Sequence, residues 1–205
     1  VITNNLANVS TPGYKRDLIE FNMGYYGFRS TAPPVQKVAL TSASIEPPVV
    51  VHQNFFTDMS KGQIRETGNP LDLALDGPGF FVVQTPAGIR YTRAGNFTLN
   101  EEGILVTQEG YPVLGENGPI RISGAKVEIR PTGEVIVDGK AVATLRIADF
   151  PEASVQKEGY NLFVGSPFGE VRPKSTKVLQ GFLELSNVNI VEELVRMISS
   201  LRSFE

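Results

Sequence analysis

The side chains that most often do chemistry are sparse in this chain. It holds no cysteine and a single histidine, His52. Without cysteine, disulfides, thiolate metal sites and thiol nucleophiles are excluded. A lone histidine with no acid or second histidine set beside it makes neither a metal site nor a general base. His52, following Val49-Val50-Val51, therefore reads as an ordinary strand or loop residue. Asp72 and Asp76 come nearest to a carboxylate pair. On one strand they share a face but stand roughly 13 Å apart, beyond the roughly 6.5–9.5 Å between the acids of an inverting glycosidase. They read as solvent-facing charges opposite the Leu71, Leu73 and Leu75 face.

Phosphate-binding patterns are missing as well. Gly77-Pro78-Gly79 lacks the third glycine and following helix of a dinucleotide loop, and its proline removes an amide, so it reads as a turn before a buried strand. No Gly-x-Ser-x-Gly elbow or Gly-Lys-Ser/Thr loop occurs. Asn8-Val9-Ser10 and Asn96-Phe97-Thr98 match the glycosylation triplet, a pattern common by chance. A net charge of −3 with no basic run points to neither nucleic acid nor an anionic membrane surface. The expectation is a protein with no catalytic residue, metal, cofactor or small-molecule substrate.

The elements that frame these residues divide into three stretches. Twenty glycines and 14 prolines call for many turns. From about Gly62 to Gly181 short apolar runs alternate with turn signals, among them Pro86-Ala87-Gly88, Asn117-Gly118, Pro131-Thr132-Gly133 and Asp138-Gly139. Val127-Glu128-Ile129, Val135-Ile136-Val137 and Leu145-Arg146-Ile147 sit between such turns. Strands this short, with no helical pattern between them, predict antiparallel hairpins rather than a doubly wound sheet. The fold class is mainly β: an antiparallel body of hairpins and partly closed sheets, with short N- and C-terminal helical segments that pair.

The ends change period. Ile2, Leu6 and Val9 fall at helical spacing before Ser10-Thr11-Pro12-Gly13 stops the helix. Val191, Leu194, Ile198 and Leu201 step by three and four, and Ile190, Val195 and Phe204 widen the stripe. Asn189 fits an N-cap, with Glu192 placed to reach back to the first free amides. Each stripe suits a capping helix on the β body or, since the two bracket it, a pair that zips together. Residues 1–15 and 185–205 are thus the helical segments, 16–61 an extended arm with short strands, and 62–184 the β body. The chain opens inside an element, without a signal peptide, and ends in mid-helical pattern, so both ends look trimmed.

Three segments in order carry a resemblance. Thr3-Asn4-Asn5-Leu6-Ala7-Asn8-Val9-Ser10-Thr11-Pro12-Gly13-Tyr14-Lys15-Arg16 resembles the N-terminal signature of the bacterial flagellar axial proteins, the rod, hook and hook-associated subunits. Gly181-Phe182-Leu183-Glu184-Leu185-Ser186-Asn187-Val188-Asn189, running on to Ile198, resembles their C-terminal signature. Glu66 to Val83 and Tyr91-Thr92-Arg93-Ala94-Gly95-Asn96-Phe97 look like the shared rod and hook core. Tyr111 to Gly115, Gly118 to Ile122 and Leu145 to Pro151 look most like a proximal-rod subunit, with the distal-rod subunit or a hook-type subunit as alternatives.

The resemblance implies a structural subunit of the flagellar basal-body rod, not an enzyme. It implies helices further out at both ends, pairing into an inner tube, and export through the flagellar type III apparatus without a cleaved signal into a rod that spans the periplasm. Implied partners are copies of the chain, other rod and hook subunits and the export apparatus, with no nucleic acid. The assembly motif would be Asn4, Asn5, Leu6, Ala7, Asn8, Val9, Pro12, Gly13, Ser186, Asn187, Val188, Asn189, Val191, Glu192, Leu194 and Ile198. A different class of reading, a β-rich carbohydrate-binding or adhesin module, accounts for the hairpins but not for the paired end motifs.

Overall fold

The computed structural model describes residues 1–25, 49–151, 155–159, 161–165, 173 and 175–202, with side chains described outside 20–25 and 49–54. Among these residues a helix α1 (Ile2–Ala7) precedes a two-stranded ribbon of β1 (Asp17–Tyr25) and β2 (Val49–Thr57), antiparallel from Asp17↔Thr57 to Tyr25↔Val49. The body follows with β3 (Ile64–Glu66), β4 (Leu73–Asp76), β5 (Phe80–Thr85) and β6 (Gly88–Thr92), and a helix α2 (Ile190–Arg202) closes the chain.

Phe80-Phe81-Val82-Val83 sets the body's architecture. Successive side chains on a strand point to opposite faces, so an unbroken apolar run needs cover on both. Phe81 and Val83 enter one core with Leu73, Leu75, Leu105 and Leu145, while Phe80 and Val82 enter a second with Tyr91 and Phe163. Aromatic pairs anchor each side: Phe81 meets Phe97 edge-on at 5.1 Å between centroids, and Phe80 lies 5.2 Å from Phe163. β5 is an inner strand of a five-stranded sheet ordered Ile147–Ala148, β5, β6, Leu162–Gly165, Val155–Gly159. A three-stranded sheet (127–129, 134–137, 140–144) turns through Asp138-Gly139, whose φ values of 49° and 81° give the doubly left-handed hairpin turn that this dipeptide favours.

The sequence-based fold class holds: the protein is mainly β with short terminal helices that pack together, and its sheets are small, antiparallel and unclosed. The body's late strands return to its first ones, Lys177–Gln180 pairing with β4 and Phe182–Glu184 with β3. Both chain ends are thereby brought to one side.

Two local expectations need correction. Leu73, Ala74 and Leu75 are all buried, so β4 does not alternate. Asp72 is not a solvent-facing strand charge; it lies buried in the preceding turn, accepting hydrogen bonds from Thr67 Oγ1 (2.7 Å) and Asn69 Nδ2 (3.1 Å). Asp76 is the exposed one, paired with Lys61 at 2.5 Å. The second correction concerns α1, which ends at Ala7 and leaves Val9 outside. Its buried residue is the polar Asn5, because that amide, not the Ile2 and Leu6 stripe, meets the edge of β1.

Candidate functional site

Gly13 lets the N-terminal segment touch the body. It adopts φ +67°, and a Cβ there would fall 2.3 Å from the Arg93 carbonyl carbon, so only glycine fits. Its amide donates to the Glu184 carbonyl at 2.7 Å, and Asn161 Nδ2 donates to the Pro12 carbonyl at 2.7 Å. Before it, Asn5 reads the start of β1 as a second strand would, its amide donating to the Asp17 carbonyl (2.8 Å) and its carbonyl accepting from the Asp17 N–H (2.9 Å). The Tyr14 hydroxyl donates to Asn5 Oδ1 at 3.2 Å, beneath the Lys157 ammonium, which lies 3.8 Å from the ring centroid. Burial, then the charge of Asp17 and a hydrogen bond to it, push the Tyr14 phenol above its ordinary value.

Lys15 is buried against Glu184, both side chains 1% exposed, with Nζ donating to Glu184 Oε1 at 2.6 Å and to the Ser60 carbonyl at 2.7 Å. The Gly62 amide donates to the same carboxylate oxygen at 3.0 Å. Arg93 Nε sits 3.5 Å from Glu184 Oε2, and its Nη2 donates to the Gly77 carbonyl at 2.9 Å. Burial pushes Lys15 and Arg93 below their ordinary values, with Glu184 pulling both back up. One carboxylate thus holds two buried cations, tying the N-terminal signature, the body and the C-terminal strand together. Such a cluster adds little net stability over an apolar replacement, but removing one member leaves a buried charge without its partner.

The C-terminal segment docks beside it. Asn187 Oδ1 accepts from the Arg16 amide (2.7 Å), while its Nδ2 donates to the Asp58 carbonyl (2.9 Å). Arg16 pairs with Asp58 (2.9 Å) and Glu192 (3.3 Å), and these acids outweigh burial to raise the guanidinium above its ordinary value. Asn189 caps α2 as its spacing predicts, accepting from the Val191 and Glu192 amides. Glu192 does not reach back to free amides; Arg16 and Arg196 (2.6 Å) claim its carboxylate. The stripe of α2 faces outward, with Val191 69%, Val195 57%, Ile198 51% and Leu194 42% exposed. Phe204 and the His52 side chain lie outside the described residues.

The sixteen motif residues therefore separate into two groups. Asn5, Pro12, Gly13, Asn187 and Val188 hold the chain ends against the body, helped by Asn4 donating to the Tyr14 hydroxyl (3.2 Å), Asn8 and Ser186 closing local turns, and Asn189 capping. Leu6 and Val9 are half-buried, Ala7 is exposed, and Val191, Leu194 and Ile198 point to solvent beside the paired Glu192. Sequence reasoning omitted Lys15, Arg16, Asp58, Arg93, Lys157 and Glu184 from the site. Lys15 and Glu184 are 169 residues apart, and no local periodicity marks them as partners. The sole hint was an acid, Glu184, between Leu183 and Leu185 on a strand.

The site is thus made of amide clamps and a buried ion cluster, with an apolar helix face outside it. Comparison with known proteins identifies the family. Residues 1–15 match the family described as flagella basal body rod protein, 74–137 the flagellar hook protein FlgE/F/G D1 domain, and 179–205 the flagellar basal body rod FlgEFG protein C-terminal. The chain is 35% identical over 226 residues to the flagellar basal-body rod protein FlgG of Buchnera aphidicola subsp. Schizaphis graminum (strain Sg), spanning all of this chain and 85% of the relative. The chain belongs to the flagellar basal-body rod protein family. It is also 33% identical over 210 residues to the rod protein FlgF of Rhizobium meliloti (strain 1021), and 32% identical over 231 residues to FlgG of Bacillus subtilis (strain 168), covering 81% and 84% of those relatives. As a member it is a structural subunit of the rod and not an enzyme, its place is the flagellar basal body, and its family is one of rod and hook subunits that assemble together.

Proposed function

We propose that this subunit joins the rod through its terminal helices, which pair around a central lumen while the β body packs laterally. The sixteen residues from Asn4 to Ile198 act in two roles. The buried group fixes the ends on the body, and the exposed face of α2 makes the contact between subunits. The observation that carries this reading is that face: Val191, Leu194, Val195, Ile198 and Leu201, all between 42% and 69% exposed on one helix. A contiguous apolar stripe left in water marks an interaction surface. At ~1.5–3 kcal/mol for each side chain taken from full exposure to full burial, covering these half-exposed residues favours association by part of that each, opposed by the entropy of ordering the ends.

The segments divide accordingly: 1–15 and 185–205 as helical ends, 16–61 as the arm carrying the ribbon, and 62–184 as the body. Its partners are copies of itself and neighbouring rod and hook subunits. Delivery is through the type III export apparatus without a cleaved signal, into a rod that crosses the periplasm. Tyr111 to Gly115 and Leu145 to Pro151 favour the proximal rod. The test is Leu194→Ser with Ile198→Ser in the full-length protein, followed by sedimentation and electron microscopy of the polymer. Both positions are exposed, so circular dichroism should be unchanged while assembly is lost; assembly at the wild-type level refutes the reading.

A further inference from the structure

Helix α2 is docked with a charged side inward. Of its residues from Ile190 to Arg202 only Glu193 is buried, 1% exposed, with Glu192 and Met197 half-buried, while Val191, Leu194, Val195, Ile198 and Leu201 stand in water. Glu193 and Met197 are one helical turn apart and share the inward face. An amphipathic helix ordinarily does the reverse, burying its apolar stripe and leaving its charges outside.

Neither oxygen of the Glu193 carboxylate has a hydrogen-bond partner among the described residues. The carboxylate lies toward Tyr14, whose phenol is raised by burial, by Asp17 and then by the charge of Glu193. The Tyr14 hydroxyl has one proton, directed to Asn5 Oδ1 at 3.2 Å with Asp17 Oδ2 at 3.5 Å, so none is left for Glu193. The cations around Tyr14 and the start of α2 are committed as well, Arg16 to Asp58 and Glu192, and Lys157 to Asp17 at 3.0 Å. A buried carboxylate without donor or counter-ion opposes the packing that buries it.

What holds α2 against this opposition is confined to its start. Val188 is buried, Asn189 caps the first turn, and Arg16 reaches Glu192 at 3.3 Å. Asn187 is clamped to the Arg16 amide and the Asp58 carbonyl, so the chain can pivot after it with that clamp intact. We infer that docked α2 is a strap of the free subunit, poised to open: on assembly it swings about Val188 and carries Glu193 out of its buried position. Opening relieves the unpartnered carboxylate and loses the Arg16–Glu192 pair, which is partly exposed and holds weakly. Elements that move are drawn from the least stable parts of a fold, and α2 is one. The inference rests on the reading of α2 as a contact between subunits, and adds that the released helix makes that contact.

The test is Glu193→Met in the full-length protein, which fills a similar space without a charge. Glu193→Gln, of nearly unchanged shape, is the second variant, and circular dichroism checks that each is folded. The docked helix should open less often, so amide exchange across 190–197 in the monomer slows about tenfold or more in Glu193→Met while the strands of the body keep their rates. Because only the opened form assembles, the critical concentration rises by the same factor. Exchange that is unchanged or faster in both variants shows that Glu193 does not burden the docked helix, and overturns the inference. Slower exchange with an unchanged critical concentration overturns the release while leaving α2 as a contact surface. Polymers indifferent to the Leu194→Ser and Ile198→Ser changes overturn the underlying reading instead.

Discussion

Replacing Glu184 by alanine removes the anion from between two buried cations. Lys15 is 1% exposed and Arg93 6%, so neither recovers its lost partner from water. Breaking one side of a buried ion pair costs about 3–5 kcal/mol, because the charge left behind has no compensation. The Gly62 amide loses its acceptor in the same change, a penalty that overlaps with the first and does not simply add. For a chain of this size the loss corresponds to a fall of roughly 6–20 °C in Tm. Thermal and urea unfolding followed by circular dichroism measure it. Glu184→Ala combined with Lys15→Met removes both charges of the closest pair and should cost clearly less than the sum of the two single changes, with a coupling above ~1 kcal/mol. If Glu184→Ala unfolds within ~1 kcal/mol of wild type, the cluster is not what registers the two chain ends, and the account of the site fails.

Gly13→Ala places a methyl against the Arg93 backbone and forces a left-handed residue to carry a side chain. It should release α1 from the body, seen as faster amide exchange from Asn5 to Asp17, and unaltered exchange there argues against the docking geometry. Asn187→Ala strands the Arg16 amide and should cost about 1–3 kcal/mol in urea unfolding. Asn189→Ala removes the cap of α2, costing about 0.5–2 kcal/mol and lowering helical signal with the β body intact. Asp58 gives the pH dependence. Burial opposes its ionisation, but the Ser60 amide and hydroxyl and then Arg16 outweigh it and hold the carboxyl below its ordinary value. With the folded value below the unfolded one, its contribution is present above the ordinary carboxylate range and is lost as pH falls below about 4. Asp58→Asn should flatten that acid limb of a stability-against-pH curve.

The hairpin turns, the buried run at Phe80–Val83 and the α2 helix with its Asn189 cap were legible in the sequence, because each is written in neighbouring residues. Asp138-Gly139 demands a left-handed turn wherever it falls, and a stripe at 191, 194 and 198 demands a helix. What escaped was whatever depends on residues far apart. The burial of Asp72 follows from Thr67 and Asn69 folding back on it, which no alternation rule reports. Lys15, Arg93 and Glu184 meet only once the C-terminal strand has returned to β3, so composition shows three ordinary charges. Asn5 was legible as part of a family signature, but its work of imitating a strand edge for β1 was not. The period of the N-terminal stripe, Ile2, Leu6 and Val9, pointed to the wrong face for the same reason.

The most direct test of the account is a cryo-electron microscopy map of isolated basal bodies in which this subunit is located. The account predicts its density in the rod, with α2 in the inner helical layer and the apolar face from Val191 to Leu201 covered by neighbouring subunits. Finding the subunit in the rod with that face turned to solvent, or the rod complete without it, would contradict the central claim.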